Sequence, residues 1–369
     1  MRVLLVSANF RPHVGGVERY TEILAGGLAR NGHDVTVLCC GYGSASEREE
    51  IDGFRVVRVR ASYILETRAG VPYPLPSPSF VRTLRALVAV SDVVNVQDAL
   101  YLTSRVALSV SHRRGVATVL TQHVSFVPQQ RRWLDTVQRA AIATIGRGAG
   151  LATAVVTYNP AVADWAEQTW GIARPLVVPA GVDPTSPNLD RDELLRSFGL
   201  PTDRFLALFV GRDVPKKGLA ILLAAADPAY EIVAVTDREG AGSSVTILPF
   251  MSPRRLGELM CCVDAFVLPS EGEGFPLSLQ EAFTAGLPVV TTMQPGYEHY
   301  ITGDEVIVVD RDPASVRDAL VRLTESEALR RRLSERSLAV AERHFSLDRF
   351  VSAYEGVYED ARRHVNRSL

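Results

Sequence analysis

The chain has 369 residues, of which 47% are hydrophobic and 22% charged, and its formal net charge is −2. This length predicts two domains, and this composition excludes a disordered or collagen-like chain. No apolar run reaches the ~18 residues that a membrane-spanning helix needs, and the first residues lack the apolar segment of a signal peptide. We therefore expect a soluble protein of the cytoplasm.

Charge and cysteine are distributed unevenly. Residues 1–180 carry 19 arginines, no lysine and 13 acidic residues, and the remainder carries 21 basic and 29 acidic residues. The basic first part favours an anionic acceptor or a membrane surface but is too weakly charged for nucleic-acid binding. The two lysines of the chain, Lys216 and Lys217, are adjacent. The four cysteines form two adjacent pairs, which predict buried reduced thiols rather than a metal site.

Short apolar segments alternate with helical patterns along the whole chain. The first part begins with a strand at 3–7, a glycine-containing loop at 12–17 and a helix at 18–30, and the period-two pattern at 54–59 predicts an edge strand. Further strands are predicted at 33–38, 93–96, 118–121 and 154–157. Strands that alternate with helices predict a parallel sheet with right-handed crossovers.

The same pattern restarts after a turn-rich junction at 179–184. A helix at 191–198 is followed by strands at 205–210, 231–235, 245–248, 265–268 and 288–291. The sequence therefore predicts an α/β protein of two successive domains, at 1–182 and 183–345, whose strand ends carry the binding loops. The segment 346–369 has apolar residues at helical spacing, so we expect it to form a helix that packs on another element.

The segment 270–282 carries the strongest chemical signal. Gly272 and Gly274 flank Glu273 in a loop that follows a strand, and a helix is predicted to begin near Leu277. Glycines allow close backbone approach to a ligand, and a helix N-terminus offers unpaired N–H groups to a phosphate. Glu281 lies about one turn into that helix. Carboxylates beside a phosphate site suit a ligand that carries sugar or ribose hydroxyls.

This segment resembles the E-x7-E signature of retaining glycosyltransferases of the GT-B fold, family 4. A second match is the segment 211–218, G-R-D-V-P-K-K-G, which is similar to the family's G-R-x4-K-G loop, and a third is the glycine loop P-H-V-G-G-V-E-R-Y at 12–20. The resemblance implies two Rossmann-like domains that face an interdomain cleft. The first would bind the acceptor and the second the nucleotide sugar, and the final helix would pack back toward the first domain.

The resemblance also implies a role for each matched residue. Glu273 would contact donor-sugar hydroxyls near the anomeric carbon, and Glu281 would hold the ribose. Arg212 and Lys217 would offset charge on the departing diphosphate. His123 would lie near the donor sugar, and it is predicted to be catalytic together with Glu273, Arg212 and Lys217. Further donor contacts are predicted at Gly15, Gly16, Phe250, Gly274, and the backbone of Phe275 and Leu277, with Phe250 near the nucleobase.

No metal and no cofactor are expected, because Arg212 and Lys217 can supply the positive charge. The D-x-D string Asp310-Arg311-Asp312 is interpreted as a turn rather than a metal site. The predicted reaction moves a hexose-type sugar from a nucleotide-diphosphate sugar, UDP-linked first and GDP-linked second, to a hydroxyl acceptor.

The acceptor is left open among lipid-linked glycans, polysaccharides and small natural products. A basic, aromatic stretch at 130–147 leaves room for peripheral contact with the inner membrane face, although a solvated helix is the simpler interpretation. The alternatives are a nucleotide-sugar epimerase or phosphorylase of the same fold and a non-catalytic scaffold. A phosphorylase would need a lysine to bear its cofactor, and both lysines are already assigned.

Overall fold

The chain divides into two compact units. The computed structural model describes residues 1–13, 15–43, 46–69, 73–123, 148–240, 242 and 244–368. One unit comprises Met1–Ala180 with Leu347–Leu369, and the other comprises Gly181–Ser346. The observed division lies two residues before the boundary predicted after residue 182. The basic stretch at 130–147 lies outside the described residues.

The first unit is built on an eight-stranded sheet with the spatial order β10-β9-β8-β7-β1-β2-β4-β3. All neighbouring strands are parallel except β3 and β4, which form an antiparallel pair. The strands are β1 (Arg2–Val6), β2 (Asp34–Cys40), β3 (Arg48–Ile51), β4 (Phe54–Val59), β7 (Val93–Gln97), β8 (Ala117–Gln122), β9 (Ala154–Thr157) and β10 (Leu176–Val177). Two short strands, β5 (Ala61–Ser62) and β6 (Leu75–Pro76), pair separately.

The prediction that 54–59 is an edge strand is wrong. Strand β3 pairs outside β4, joined by a tight turn at Asp52 and Gly53, whose φ angles are 46° and 84°. Asp-Gly is a strong hairpin signal because both residues tolerate positive φ. The β3 sequence R-E-E-I lacks the apolar alternation on which strand prediction depends, so the strand was missed.

The second unit is built on a six-stranded, fully parallel sheet with the order β13-β12-β11-β14-β15-β16. This is the 3-2-1-4-5-6 order of a dinucleotide-binding fold. Successive strands are added on one side of the first strand and then on its other side, so the strand order reverses between the first and fourth strands. The strands are β11 (Phe205–Val210), β12 (Tyr230–Val235), β13 (Val245–Leu248), β14 (Ala265–Leu268), β15 (Val289–Thr291) and β16 (Ile307–Val308).

Helices cover both sheets. In chain order they are α1 (Gly16–Arg30), α2 (Ile64–Ala69), α3 (Ser79–Val88), α4 (Leu102–Arg113), α5 (Pro160–Trp170), α6 (Arg191–Ser197), α7 (Leu219–Ala224), α8 (Pro253–Met260), α9 (Leu277–Thr284), α10 (Pro313–Glu325), α11 (Glu327–His344) and α12 (Leu347–Ser368). The mixed α/β class and the parallel sheets agree with the prediction. Helix α12 groups with the first unit, where it packs against α1 and β8.

The central strands are buried on both faces, as parallel sheets require. In the first unit, β1, β7 and β8 contribute Leu4, Val6, Val94, Val96 and Leu120 to a core that α3 and α4 cover. Cys39, Cys40 and Cys262 are buried, as predicted, whereas Cys261 is half-buried.

Candidate active site

The loops that carry the predicted diphosphate-binding and sugar-binding residues meet where the strand order of the second sheet reverses, between β11 and β14. Strands β11 and β14 are neighbours, and two loops leave their carboxyl ends. The lysine loop (211–218) follows β11, and the glutamate loop (269–276) follows β14. Ligands of open α/β sheets bind at such a switch point, because adjacent crossovers go to opposite faces and leave a crevice there.

The lysine loop is folded tightly against the glutamate loop. Its last turn is a short 3-10 helix, Pro215–Lys217, which ends at Gly218 with φ of 77°. A Cβ atom at Gly218 would lie 2.2 Å from the carbonyl oxygen of Pro269. The backbone amide of Glu271 also donates to the carbonyl oxygen of Lys216, at 2.8 Å. Only glycine fits at position 218, since both its φ angle and its proximity to Pro269 exclude a side chain.

This folding brings Lys217 and Glu273 together. Nζ of Lys217 lies 3.1 Å from Oε2 of Glu273, and Nζ of the more exposed Lys216 lies 3.6 Å from Oε1. Burial lowers the pKa of Lys217, while the adjacent Glu273 carboxylate opposes that shift. Oε1 of Glu273 is buried and accepts no hydrogen bond from the described residues. The pair therefore combines a desolvated cation with a carboxylate oxygen that can still accept a hydrogen bond from a hydroxyl group.

Arg212 lies on the same loop and is exposed. The next residue, Asp213, donates its backbone amide to Oδ1 of Asp237 at 2.7 Å and accepts from Nη1 of Arg238 at 3.0 Å. The amide of Asp213 is the main cause of the lowered pKa of Asp237, to which the charge of Arg212 also contributes. These contacts join the lysine loop to the end of β12, the strand beside β11.

Polar side chains from the end of β15 support the glutamate loop. Nε2 of Gln294 donates to the carbonyl oxygen of Ser270 at 3.1 Å, and its Oε1 accepts from the amide of Gly272 at 3.0 Å. Gly272 has φ of 65°, which glycine adopts without strain. The hydroxyl group of Thr292 also donates to the carbonyl oxygen of Ser270, at 2.5 Å.

Helix α9 begins directly after the glutamate loop. The ring of Phe275 is buried among Phe283, Tyr297, Tyr300 and Phe345, so its backbone and not its side chain is left for a ligand. The residue before the helix, Pro276, provides no side-chain cap. The first helical amides, from Leu277 onward, are thus not capped by a side chain, as expected for an anion-binding helix start.

Three other predicted donor residues belong to the same unit. Gly274 and Glu281 are half-buried, with Glu281 one turn into α9. Phe250 is half-buried in the segment that follows β13. The structure therefore brings Lys217 and Glu273 into contact at the switch point. Gly274 and Phe250 lie on loops of the same unit, and Leu277 and Glu281 lie in α9.

Gly15, Gly16 and His123 belong to the first unit. Gly15 precedes α1 and Gly16 is its first residue. His123 follows β8 and is buried. Its Nε2 lies 2.8 Å from Oε1 of Gln97, whose own amide nitrogen donates to Asn95. Nε2 must therefore carry the proton, and burial lowers the pKa of His123 to about 3, so the ring is neutral.

Sequence analysis missed a polar cluster around His13. Nδ1 of His13 lies 2.8 Å from Glu18, and Nε2 lies 3.6 Å from Glu66. The Glu18 contact raises the pKa of His13 although burial opposes it. The ring of Tyr42 packs edge-on against His13. The signal that could have found the cluster was the placement of His13 and Glu18 on opposite sides of the two glycines at 15 and 16.

The described residues contain no group of three or more histidine, cysteine or acidic side chains arranged to hold a metal ion. Among the helices of the described residues, none is long and apolar enough to cross a bilayer. Metal independence stays a prediction.

Two family models match consecutive parts of the chain. The model Glycosyltransferase Family 4 matches residues 14–186, and the model Glycosyl transferases group 1 matches residues 190–339. The division between them falls close to the division between the two units.

Several curated relatives match over most of their own length. A GDP-mannose-dependent alpha-mannosyltransferase of Mycobacterium tuberculosis is 28% identical over 325 residues, covering 82% of each chain. A D-inositol 3-phosphate glycosyltransferase of Acidothermus cellulolyticus is 29% identical and covers 98% of this chain and 90% of its own.

Solved structures establish the same fold at lower identity. Anabaena Alr3699/HepE in complex with UDP and glucose matches with a TM-score of 0.76 and 16% identity, covering 97% of this chain and 99% of that one. Sucrose-phosphate synthase from Thermosynechococcus elongatus matches with a TM-score of 0.73 and 18% identity, over 97% and 98%. With the two family models spanning the chain in order, the protein belongs to the family 4-like glycosyltransferases of the GT-B fold.

Proposed function

We propose that the protein transfers a hexose-type sugar from a nucleoside-diphosphate sugar to a hydroxyl acceptor and retains the anomeric configuration. The observation that carries this proposal is the contact between Lys217 and Glu273 at the switch point of the second sheet. A diphosphate is bound by a positive charge, and a sugar hydroxyl is bound by an atom that accepts its hydrogen bond. Here both are supplied by side chains 3.1 Å apart, beside a helix that begins without a side-chain cap.

In the proposed reaction, the bond between the anomeric carbon and the phosphate oxygen breaks as the acceptor oxygen bonds to that carbon on the same face. The acceptor proton passes to the departing phosphate oxygen, so the step needs no enzymic nucleophile. Lys217 and Arg212 offset the negative charge that grows on the diphosphate. Glu273 orients the sugar hydroxyls, and Glu281 is proposed to hold the ribose. Because two cations already act on the leaving group, we propose that transfer needs no added metal.

The identity of the donor is part of the proposal. The sequence favours a UDP-sugar, whereas three curated relatives are named as GDP-mannose-dependent enzymes. GDP-mannose and UDP-glucose are therefore the first two donors to assay. The acceptor classes remain lipid-linked glycans, polysaccharides and small natural products. Peripheral membrane contact stays a prediction.

The proposal is tested first by calorimetric titration of the purified protein with GDP and UDP in the presence of EDTA. Transfer is then measured from the donor whose nucleotide binds. We expect Lys217→Met to lower kcat by about 10²–10³, the usual loss when a charge-stabilising donor is removed, and Glu273→Gln to abolish transfer. Lys216→Met is the matched control, because its ammonium group is more exposed and lies farther from Glu273. It should cost less than about tenfold.

Other outcomes are equally informative. Normal turnover by both Lys217→Met and Glu273→Gln would contradict the site assignment. Loss of activity in EDTA that magnesium restores would overturn the metal-free proposal. Conversion of the donor without any acceptor would indicate an epimerase. Failure of the wild-type protein to bind any nucleoside diphosphate would favour a non-catalytic scaffold.

A further inference from the structure

The arginine of the D-x-D string, Arg311, contacts both loops of the candidate site, whereas the two acidic residues serve a local turn. Oδ1 of Asp312 accepts from the amides of Ala314 and Ser315, at 2.9 and 3.0 Å, and so caps α10. The amide of Asp310 donates to the hydroxyl of Ser315 at 3.1 Å. Both acidic residues therefore belong to a helix-starting turn, as the sequence predicts. Arg311, between them, extends out of that turn.

Arg311 uses all three of its guanidinium nitrogens on the two loops of the candidate site. Nη2 donates to the carbonyl oxygen of Pro215 at 2.8 Å, on the lysine loop. Nε donates to the carbonyl oxygen of Pro269 at 3.2 Å, on the glutamate loop. Nη1 pairs with the carboxylate of Glu271 at 2.5 Å, also on the glutamate loop. A single half-buried side chain thus bridges two loops that are 42 and 96 residues away in sequence.

The bridged carbonyl groups lie close to the chemistry. Pro215 begins the 3-10 turn that ends at Lys217, and Pro269 begins the loop that carries Glu273. A shift of either carbonyl would change the separation of the Lys217 ammonium group and the Glu273 carboxylate. The loops also contact each other directly, through the hydrogen bond from the Glu271 amide to Lys216, the close approach of Gly218 to Pro269, and the ion pairs of Glu273 with Lys216 and Lys217. Arg311 adds a connection from outside both loops.

The charge of Arg311 is already engaged by Glu271. Arg311 therefore affects the binding of an anionic ligand through the geometry of the loops, because a guanidinium group that is paired with a carboxylate adds little free positive charge. Arginine suits this task better than lysine, since its donors are fixed in a planar fork and can serve separate acceptors at once. The contacts to Pro215, Pro269 and Glu271 come from three different nitrogens, which one ammonium group cannot reproduce.

We propose that Arg311 is a positioning residue that sets the distance between Lys217 and Glu273 and thereby tunes recognition of the donor diphosphate. The inference rests on the proposed function of that pair. It predicts a specific loss: removal of Arg311 should weaken binding of the β-phosphate, which Lys217 would contact, more than binding of the nucleoside and its first phosphate.

The test compares Arg311→Met with Arg317→Met by calorimetric titration. Arg317 lies on α10 and donates to the carbonyl oxygen of Ala224 at 3.0 Å, so it also bridges distant segments, but its partner Ala224 lies outside both loops of the candidate site. Each variant is titrated with the nucleoside diphosphate that binds the wild-type protein and with the matching monophosphate. Melting temperatures of the two variants are measured to compare their structural cost.

We expect Arg311→Met to reduce the preference for diphosphate over monophosphate about tenfold or more, which is the weakening expected when one charge-assisted hydrogen bond to the β-phosphate is lost. Arg317→Met should leave that preference unchanged at a similar loss of melting temperature. Arg311→Lys should resemble Arg311→Met within about threefold, and it provides the measurement if the methionine variant does not fold.

Three results would overturn the inference. The first is an equal weakening of monophosphate and diphosphate, which a merely structural role would produce. The second is full restoration by lysine, which would make the charge decisive. The third is unchanged diphosphate preference in Arg311→Met. Failure of the wild-type protein to bind any nucleoside diphosphate would instead refute the proposed function, so the two failures are distinguishable.

Discussion

Asp98 shows at the residue scale how burial controls a single ionisation. It directly follows β7, has a φ angle of 58° and is buried in the first unit. Burial raises its pKa from 3.8 to about 6, although the amides of Leu100 and Gln122 both donate to Oδ1 and oppose the shift. The folded state therefore binds this proton more tightly than the unfolded state does. Its stabilising contribution is complete below about pH 3.8 and is lost as the pH rises through about 6.

Asp98→Asn is expected to remove this pH dependence. Asparagine tolerates a positive φ and keeps an acceptor for Leu100, but its amide does not ionise. Relative to wild type, the variant should gain up to about 3 kcal/mol in free energy of unfolding between pH 4 and pH 7.5. Urea unfolding followed by tryptophan fluorescence measures this, because all three tryptophans lie in residues 1–180.

Asp52→Asn is the matched control for Asp98. Asp52 also has a positive φ, at 46°, but its side chain is exposed. Its substitution should change the free energy of unfolding similarly at both pH values. An equal pH response in the two variants would contradict the assignment to burial.

At the scale of single elements, the lysine loop depends on one glycine. Gly218 and Gly199 have similar φ angles, 77° and 70°, but a Cβ atom meets Pro269 at the first position and nothing within 4 Å at the second. Gly199→Ala should therefore cost about 1 kcal/mol from backbone strain alone. Gly218→Ala should cost a further 1–3 kcal/mol, roughly, because the loop must move away from Pro269.

Urea unfolding followed by far-ultraviolet circular dichroism measures both alanine variants. Diphosphate affinity should fall only in Gly218→Ala, because its loop carries Lys217. Equal free energies of unfolding in the two variants would show that the two loops separate at no cost, and would contradict the close contact.

Sequence patterns predicted the elements unevenly for a physical reason. Strands such as Phe205–Val210 and Ala265–Leu268 are buried on both faces, so their continuous apolar runs identified them within the chain. The edge strand Arg48–Ile51 is exposed along most of its length and owes its existence to pairing with Phe54–Val59. A contact between elements of this kind leaves little local pattern, whereas burial leaves a strong one.

At the scale of the whole molecule, the final helix completes the first unit from the far end of the chain. Tyr354 lies on Leu347–Ser368, and its hydroxyl group contacts the hydroxyl of Tyr20 at 2.9 Å and that of Thr121 at 2.8 Å. All three side chains are buried. The contacts span 334 and 233 residues of sequence, so the first unit requires both ends of the chain.

Tyr354→Phe is expected to lower the free energy of unfolding of the first unit by about 1–3 kcal/mol, because two buried hydroxyl groups lose their partner. The tryptophan transition in urea measures the effect. Tyr230→Phe is the control, since Tyr230 is a buried tyrosine of the second unit that bonds to the carbonyl oxygen of Ala225. An equal shift of the tryptophan transition in both variants would show that the signal does not separate the units.

The α/β class, the positions of most strands along the chain, and the residues proposed for the donor site all follow from the amino-acid sequence alone. These features are local, since apolar periodicity and glycine spacing at Gly211, Gly218, Gly272 and Gly274 are written in consecutive residues.

Only the tertiary structure decided which side chains meet. It brought Lys217 to Glu273, Gln97 to His123, and Arg311 to both loops of the candidate site. Each of these pairs joins residues that are far apart in sequence, and their contact depends on strand order and on backbone turns that place loop ends side by side. A local sequence pattern does not indicate which distant residues come into contact. For this reason Arg311, which the sequence placed in a turn, is identified as a candidate positioning residue only from the folded structure.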